Sequence, residues 1–132
     1  MAQDPPSLRL TSITVMAPAP HELAQFYATL LGGKITALDP ALPGEPEQAG
    51  WAQVRTPSLT LNFEFEQHWR TPSWPAQAGR QTATQHLDIQ VDDMVSAVEW
   101  ATACGARTAD VQPQDDVRVM LDPAGHPFCL FC

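Results

Sequence analysis

The side chains that could move protons or hold cations fall on two alternating stretches. Between Leu59 and Glu66, Thr60, Asn62, Glu64 and Glu66 alternate with Leu59, Leu61, Phe63 and Phe65. Between Gln85 and Val91, His86, Asp88 and Gln90 alternate with Leu87, Ile89 and Val91. A period of two sends successive side chains to opposite faces of a strand, so each stretch carries one polar and one apolar face. Imidazole and carboxylate groups on such a face can serve acid–base chemistry or bind a divalent metal. They also have plainer uses. His86 reads as a polar residue hydrogen-bonded across a sheet, and Glu64 as a carboxylate paired with Arg55 or Arg118.

Cys129-Leu130-Phe131-Cys132 has the C-x-x-C spacing of redox and zinc motifs. It lies in an apolar run that reads as a strand, where a spacing of three points the two sulfurs to opposite faces. Buried small hydrophobes are the reading this favours. No P-loop, dinucleotide fingerprint or Gly-x-Ser-x-Gly elbow occurs, so nucleotide chemistry and serine hydrolysis have no support.

The elements that must position these groups repeat. Leu8 to Met16 reads as a strand, and His21 to Leu31 as a helix ended by Gly32-Gly33. Lys34 to Leu38, Trp51 to Arg55 and Leu59 to Glu66 read as three more strands. Gln67 to Thr82, with Pro72, Pro75 and Gly79, reads as a linker. The order then recurs: strand Gln85 to Val91, a helix capped by Asp92-Asp93 and running to Cys104, then strands Ala106 to Val111, Asp116 to Leu121 and Pro127 to Cys132. Laying Gly32 on Gly105 also lays Tyr27 on Trp100. Each half is too small to close a core alone, so the two are expected to share one curved sheet of about eight strands.

The chain has 132 residues and a formal net charge of -8, with only seven Lys and Arg, scattered along it. Nucleic acids and anionic membranes are poor partners for such a surface. No apolar run approaches the roughly 20 residues of a membrane helix. The start, Met1 to Pro6, lacks the features of an export signal, which predicts a cytoplasmic protein.

Pro20-His21-Glu22-Leu23-Ala24-Gln25-Phe26-Tyr27, followed by Leu31-Gly32, resembles the first helix of glyoxalase-like vicinal oxygen chelate proteins. Gln85 to Asp93 and Asp122-Pro123-Ala124-Gly125-His126-Pro127-Phe128-Cys129-Leu130 resemble the start and end of their second module. The likeness covers nearly the whole chain. It implies an α+β fold, residues 1–132 as one domain: module one about 8–66, linker 67–82, module two about 83–132. Two tandem βαβββ modules would form a curved, U-shaped mixed sheet with helices on the outer face and a ligand cleft inside. Ile13, Val15, Leu61, Phe63, Leu87 and Ile89 would then lie beneath the helices. Ser12, Thr14, Asn62, Glu64, His86 and Asp88 would face the cleft, joined by Gln53, Arg55, Arg118 and Met120, with Trp51 at the rim.

Metal-dependent members of the family place one ligand on the first and one on the fourth strand of each module. The resemblance carries those roles to Ser12, Glu64, His86 and Cys129. Serine is a poor ligand and Cys129 stands where Glu is usual, so the metal set expected here is His86, Glu64 and Cys129. Tightly held magnesium, nickel or iron is not expected, and zinc is the metal to expect if Cys129 takes part. The resemblance implies binding of a small organic ligand. Its alternatives are a metal-dependent lyase, isomerase or ring-cleaving dioxygenase with Glu64 moving a proton, and a protein that sequesters a drug. His68 is expected at the cleft mouth, and His21 in solvent. Trp69 and Trp74, without an assured place in the core, suggest a homodimer contact.

Overall fold

A computed structural model of the chain describes residues 4–132. Met1–Gln3, part of the stretch read as lacking an export signal, lie outside the described residues. In chain order the elements are β1 (Ser12–Ala17), α1 (Pro20–Leu31), β2 (Lys34–Asp39), a 3-10 turn (Glu47–Ala49), β3 (Trp51–Arg55), β4 (Thr60–Phe65), β5 (Leu87–Gln90), α2 (Met94–Cys104), β6 (Arg107–Thr108), β7 (Val117–Leu121) and β8 (Pro127–Phe131). The order βαβββ therefore occurs twice, in an α+β fold.

The strands form two four-stranded sheets, ordered β1-β4-β3-β2 and β5-β8-β7-β6. In each, the first strand runs parallel to the fourth and the remaining neighbours are antiparallel. Among the described residues eight strands are present as expected, but the hydrogen bonding divides them equally. Each module's first strand closes onto its own fourth strand, which leaves β1 and β5 as sheet edges.

Local chemistry sets where strands begin and end. The first strand starts at Ser12 rather than Leu8, because its partner β4 starts at Thr60. Just before Thr60 the chain turns, and Thr56 Oγ1 bonds both the carbonyl and the N–H of Leu59, at 2.6 and 3.0 Å. Leu8 and Leu10 are left without a strand partner and exposed. The expected strand from Ala106 to Val111 shortens to Arg107–Thr108 for a different reason. The Gln112 side-chain amide donates to Val119 O at 2.9 Å and accepts from Val119 N at 2.8 Å. A side chain thus takes the place of a neighbouring strand on β7.

Helix α1 has Pro20 in its first turn, and it ends at Gly32 with φ of 63°. There a side chain would be strained and glycine is not. Its buried face, Leu23, Ala24, Phe26 and Tyr27, sits over both sheets. The Tyr27 ring stacks on Phe63 of β4 with centroids 5.7 Å apart, and meets Phe128 of β8 edge-on at 6.2 Å. Burying each such ring contributes about 1.5–3 kcal/mol, so one helix turn ties the two modules through a shared core. Ile13, Val15, Leu61, Phe63, Leu87 and Ile89 all belong to or pack against that core, on the helix side as expected. Helix α2 is capped by Asp93, whose carboxylate accepts from Ser96 N at 2.9 Å. It reaches α1 through Trp100, whose indole N–H donates to Leu30 O at 3.0 Å.

Candidate functional site: the cleft between the modules

Because β1 and β5 are edges, the space between them stays open. A cleft of ≈ 1140 Å³ lies there, lined by residues of β1, by the start of β5 and by the segment joining the modules. Ser12, Thr14, His86 and Asp88 supply polar atoms to it. His68 also lines it, with Trp69 beside it.

At one end of the cleft lies His126, which precedes β8. Its Nε2 is 2.8 Å from Met16 O on β1, and its Nδ1 is 2.8 and 3.0 Å from the two carboxylate oxygens of Asp122. Trp69 covers the imidazole with its ring centroid 4.9 Å away. Asp122 is almost fully buried and accepts four donors: the Tyr27 hydroxyl at 2.7 Å, the His126 ring, and the N–H groups of Ala124 and His126 at 2.9 and 3.0 Å. Burial, the adjacent Asp122 charge and the hydrogen bond to it together raise the Tyr27 hydroxyl well above its ordinary pKa. This network fixes the cleft wall and joins α1, β1 and the turn before β8.

A smaller hollow of ≈ 460 Å³ adjoins the cleft, sharing His86 and Asp88 with it and adding Val117, Val119 and Cys129. Asp88 pairs directly with Cys129 across the parallel β5–β8 ladder. His86 lies two residues before Asp88 and therefore on the same face. Its Nδ1 is 3.1 Å from Asp88 Oδ1. One ligand atom from each of His86, Asp88 and Cys129 falls within 4.8 Å of the others. Burial raises the Cys129 thiol pKa, helped by the charge of Asp88 and a hydrogen bond to it.

Measured against the sequence expectations, the structure regroups the site. His86 and Cys129 come together, with Asp88 as their third member; Glu64 is exposed on β4 and outside that group. The cause is topological, since β1 intervenes between β4 and the edge that faces β5. Gln53 and Asn62 share the polar face of their sheet and bond to each other at 2.9 Å, away from the cleft lining, as are Arg55 and Trp51. The expected places of Arg118 and Met120 are wrong by one residue. Met120 is completely buried in the core opposite Phe128, and Arg118, opposite Leu130, takes the same face. Val117 and Val119 line the hollow instead. The Arg118 guanidinium turns back onto the carbonyls of Gln114 and Asp115 and, among the described residues, pairs with no carboxylate.

Two further readings change. Cys129 and Cys132 line the same hollow, because Cys132 lies beyond the last residue of β8 and strand alternation no longer directs it. His21 is tied down rather than solvated, with its Nε2 shared between Asp39 O at 2.8 Å and Trp51 O at 3.0 Å. What the sequence reading missed was the Tyr27–Asp122–His126 network. Its signal was the Asp122-Pro123-Ala124-Gly125-His126 turn, in which an acid and a histidine four residues apart can meet.

A family model described as a glyoxalase-like domain matches residues 12–131. The chain belongs to the glyoxalase-like domain family. Solved structures agree with that at the level of fold. A glyoxalase family protein from Enterococcus faecalis is 18% identical, with a TM-score of 0.67 over 94% of this chain and 97% of that one. A mutant of the fosfomycin resistance protein FosX from Listeria monocytogenes, complexed with Mn(II) and 1S,2S-dihydroxypropylphosphonic acid, is 12% identical, with a TM-score of 0.66 over 93% and 88%. FosX from Mesorhizobium loti is 10% identical, with a TM-score of 0.65 over 93% and 90%. No curated protein matches the chain. In this glyoxalase-like chain the four-strand ligand set of Ser12, Glu64, His86 and Cys129 does not fit a metal ion, since among the described residues the His, Cys and carboxylate donors that converge all come from module two.

Proposed function

We propose that this glyoxalase-like protein binds a small organic ligand in the cleft between its two modules. The observation that carries the reading is the ≈ 1140 Å³ cleft itself, a volume suited to a small molecule. Its walls mix the apolar groups of Met16, Trp69 and Pro72 with the polar groups of His68, Arg70 and His86. Apolar walls would take up the ligand's body, and the few polar groups would orient it. The fold neighbours bound to small molecules support a ligand site but, at 12% identity, do not supply the ligand's identity. A homodimer is part of the same proposal. It rests on the frequency of isologous pairs rather than on Trp69 and Trp74, since both rings are half-buried within the chain.

A thermal-shift screen of small organic compounds, followed by titration of the hits, tests the reading. Saturable binding that weakens in Trp69→Ala and His68→Ala is the expected result. Saturable binding indifferent to both substitutions would put the ligand elsewhere and overturn the proposal.

A further inference from the structure

We propose that the ligand of the cleft is an organic carboxylate with an apolar body, its charged end held by the Arg70 guanidinium. This rests on the cleft reading and adds to it the charge of the ligand.

The charged groups that line the cleft fall into two sets. Its carboxylates already have partners in the protein. Glu66 Oε1 accepts the His68 main-chain N–H at 2.9 Å, while Asp88 meets the His86 ring at 3.1 Å and accepts from the Cys129 thiol. Arg70 has no such partner: among the described residues its guanidinium makes no hydrogen bond and no ion pair. It is also the one Arg or Lys among the described residues that line the cleft. The formal charge left unmatched there is therefore positive, and it calls for an anion.

The kind of anion follows from the donors available. A guanidinium presents a planar fork that fits a carboxylate through two parallel hydrogen bonds. Ser12 and Thr14 on β1 and Thr84 ahead of β5 add neutral hydroxyls to the lining. One fork with neutral donors balances a single negative charge. A doubly charged phosphate group would keep part of its charge unmatched, in a chain whose net charge of -8 already repels it. Trp69, the residue before Arg70, lines the cleft with Met16 and Pro72. Surface for an apolar body and a donor for its carboxylate thus come from consecutive residues of one segment. Because the field of the whole chain favours cations, a preference for an anion would be a local property of Arg70.

Calorimetric titration of the full chain with four matched probes tests this: naphthoate, its neutral amide naphthamide, the cation naphthylmethylamine and naphthyl phosphate, all of the same ring isomer. Naphthoate should bind about tenfold more tightly than the amide, the lower end for hydrogen bonds to a charged group because Arg70 is exposed. The amine and the phosphate should both bind more weakly than naphthoate. Raising salt to about 0.5 M should narrow the preference through screening. Arg70→Gln should erase it while leaving the amide's affinity unchanged, and Arg70→Lys should retain part of it. Arg70 is exposed, so circular dichroism should find both variants folded. Equal or tighter binding of the amide, the amine or the phosphate would overturn the proposal, and so would a preference for naphthoate that survives Arg70→Gln. Absence of binding by all four probes at millimolar concentration would overturn it too. Each of these outcomes leaves the cleft reading to the wider screen with Trp69→Ala and His68→Ala, so the two proposals can fail separately.

Discussion

The Tyr27 hydroxyl donates a 2.7 Å hydrogen bond to the buried carboxylate of Asp122, joining residues 95 positions apart and on different modules. Tyr27 belongs to the first helix and Asp122 to the turn before the last strand. The bond therefore spans the seam that hydrogen-bonded ladders leave open.

Tyr27 should make the protein sensitive to alkali. Its hydroxyl is raised in the folded state, by burial first and the Asp122 charge second, above an ordinary value of 10.0. The unfolded chain therefore releases the proton first, so the stabilisation is complete below about pH 10 and is lost as pH rises through the folded value. Tyr27 is the only tyrosine, so phenolate absorbance reports it alone and should appear together with unfolding. Tyr27→Phe should remove that alkaline transition and cost about 1.5–3 kcal/mol at neutral pH, as for a hydrogen bond to a charged group. An alkaline limb identical in wild type and variant would refute the assignment.

Asp122→Ala should be considerably worse than Tyr27→Phe. It strands the Tyr27 hydroxyl, the His126 ring and two main-chain N–H groups at once. A loss of about 3–5 kcal/mol is expected, the size found when one member of a buried pair is removed. Urea denaturation should show the midpoint falling accordingly. A change below about 1 kcal/mol would mean water satisfies these groups.

Asp93 should act at the acid end, with the opposite sign. Hydrogen bonds from the Ser96 side chain and main chain hold its carboxyl below the usual value. Its contribution is present above the unfolded value and lost as pH falls through the folded one. Asp93→Asn should flatten the acid limb of the stability profile, read by circular dichroism at the helix signal. An unchanged limb would show that the cap adds nothing.

Gly50→Ala should destabilise the protein by about 1–3 kcal/mol through crowding. A methyl group there would collide with Asp39 O and His21 Nε2, the two partners of the His21 contact. Adding His21→Ala should recover part of the loss, because the two sites share a contact and are not additive. Melting temperatures of the wild type and the three variants in that cycle check this.

The repeat was legible because alternation, glycine stops and the Asp93 cap are local signals. They place Ile13, Phe63 and Ile89 on the core side with no knowledge of the neighbouring strand. The site was less legible because it depends on which strands adjoin. Alternation directs Glu64 to a polar face, but only topology reveals that β1 stands between it and β5. The misplacement of Met120 and Arg118 shows how one residue of register exchanges faces along β7. Nor does the repeat fix burial. Tyr27 and Trp100 are matched positions, yet Tyr27 is 1% exposed and Trp100 50%. Tyr27 finds a buried partner in Asp122, whereas Trp100 bonds the Leu30 carbonyl at the surface.

The division into two sheets has a mechanical consequence. A continuous ladder across β1 and β5 would make the width of the cleft as stiff as a sheet. Here the described ladders stop at each module, and the seam is spanned by the shared core and by side-chain bonds from Tyr27, Trp100 and His126. The jaw opening is thus a compliant coordinate, with a spring constant written in side-chain chemistry. Its stiffness can be retuned one residue at a time while both sheets remain intact.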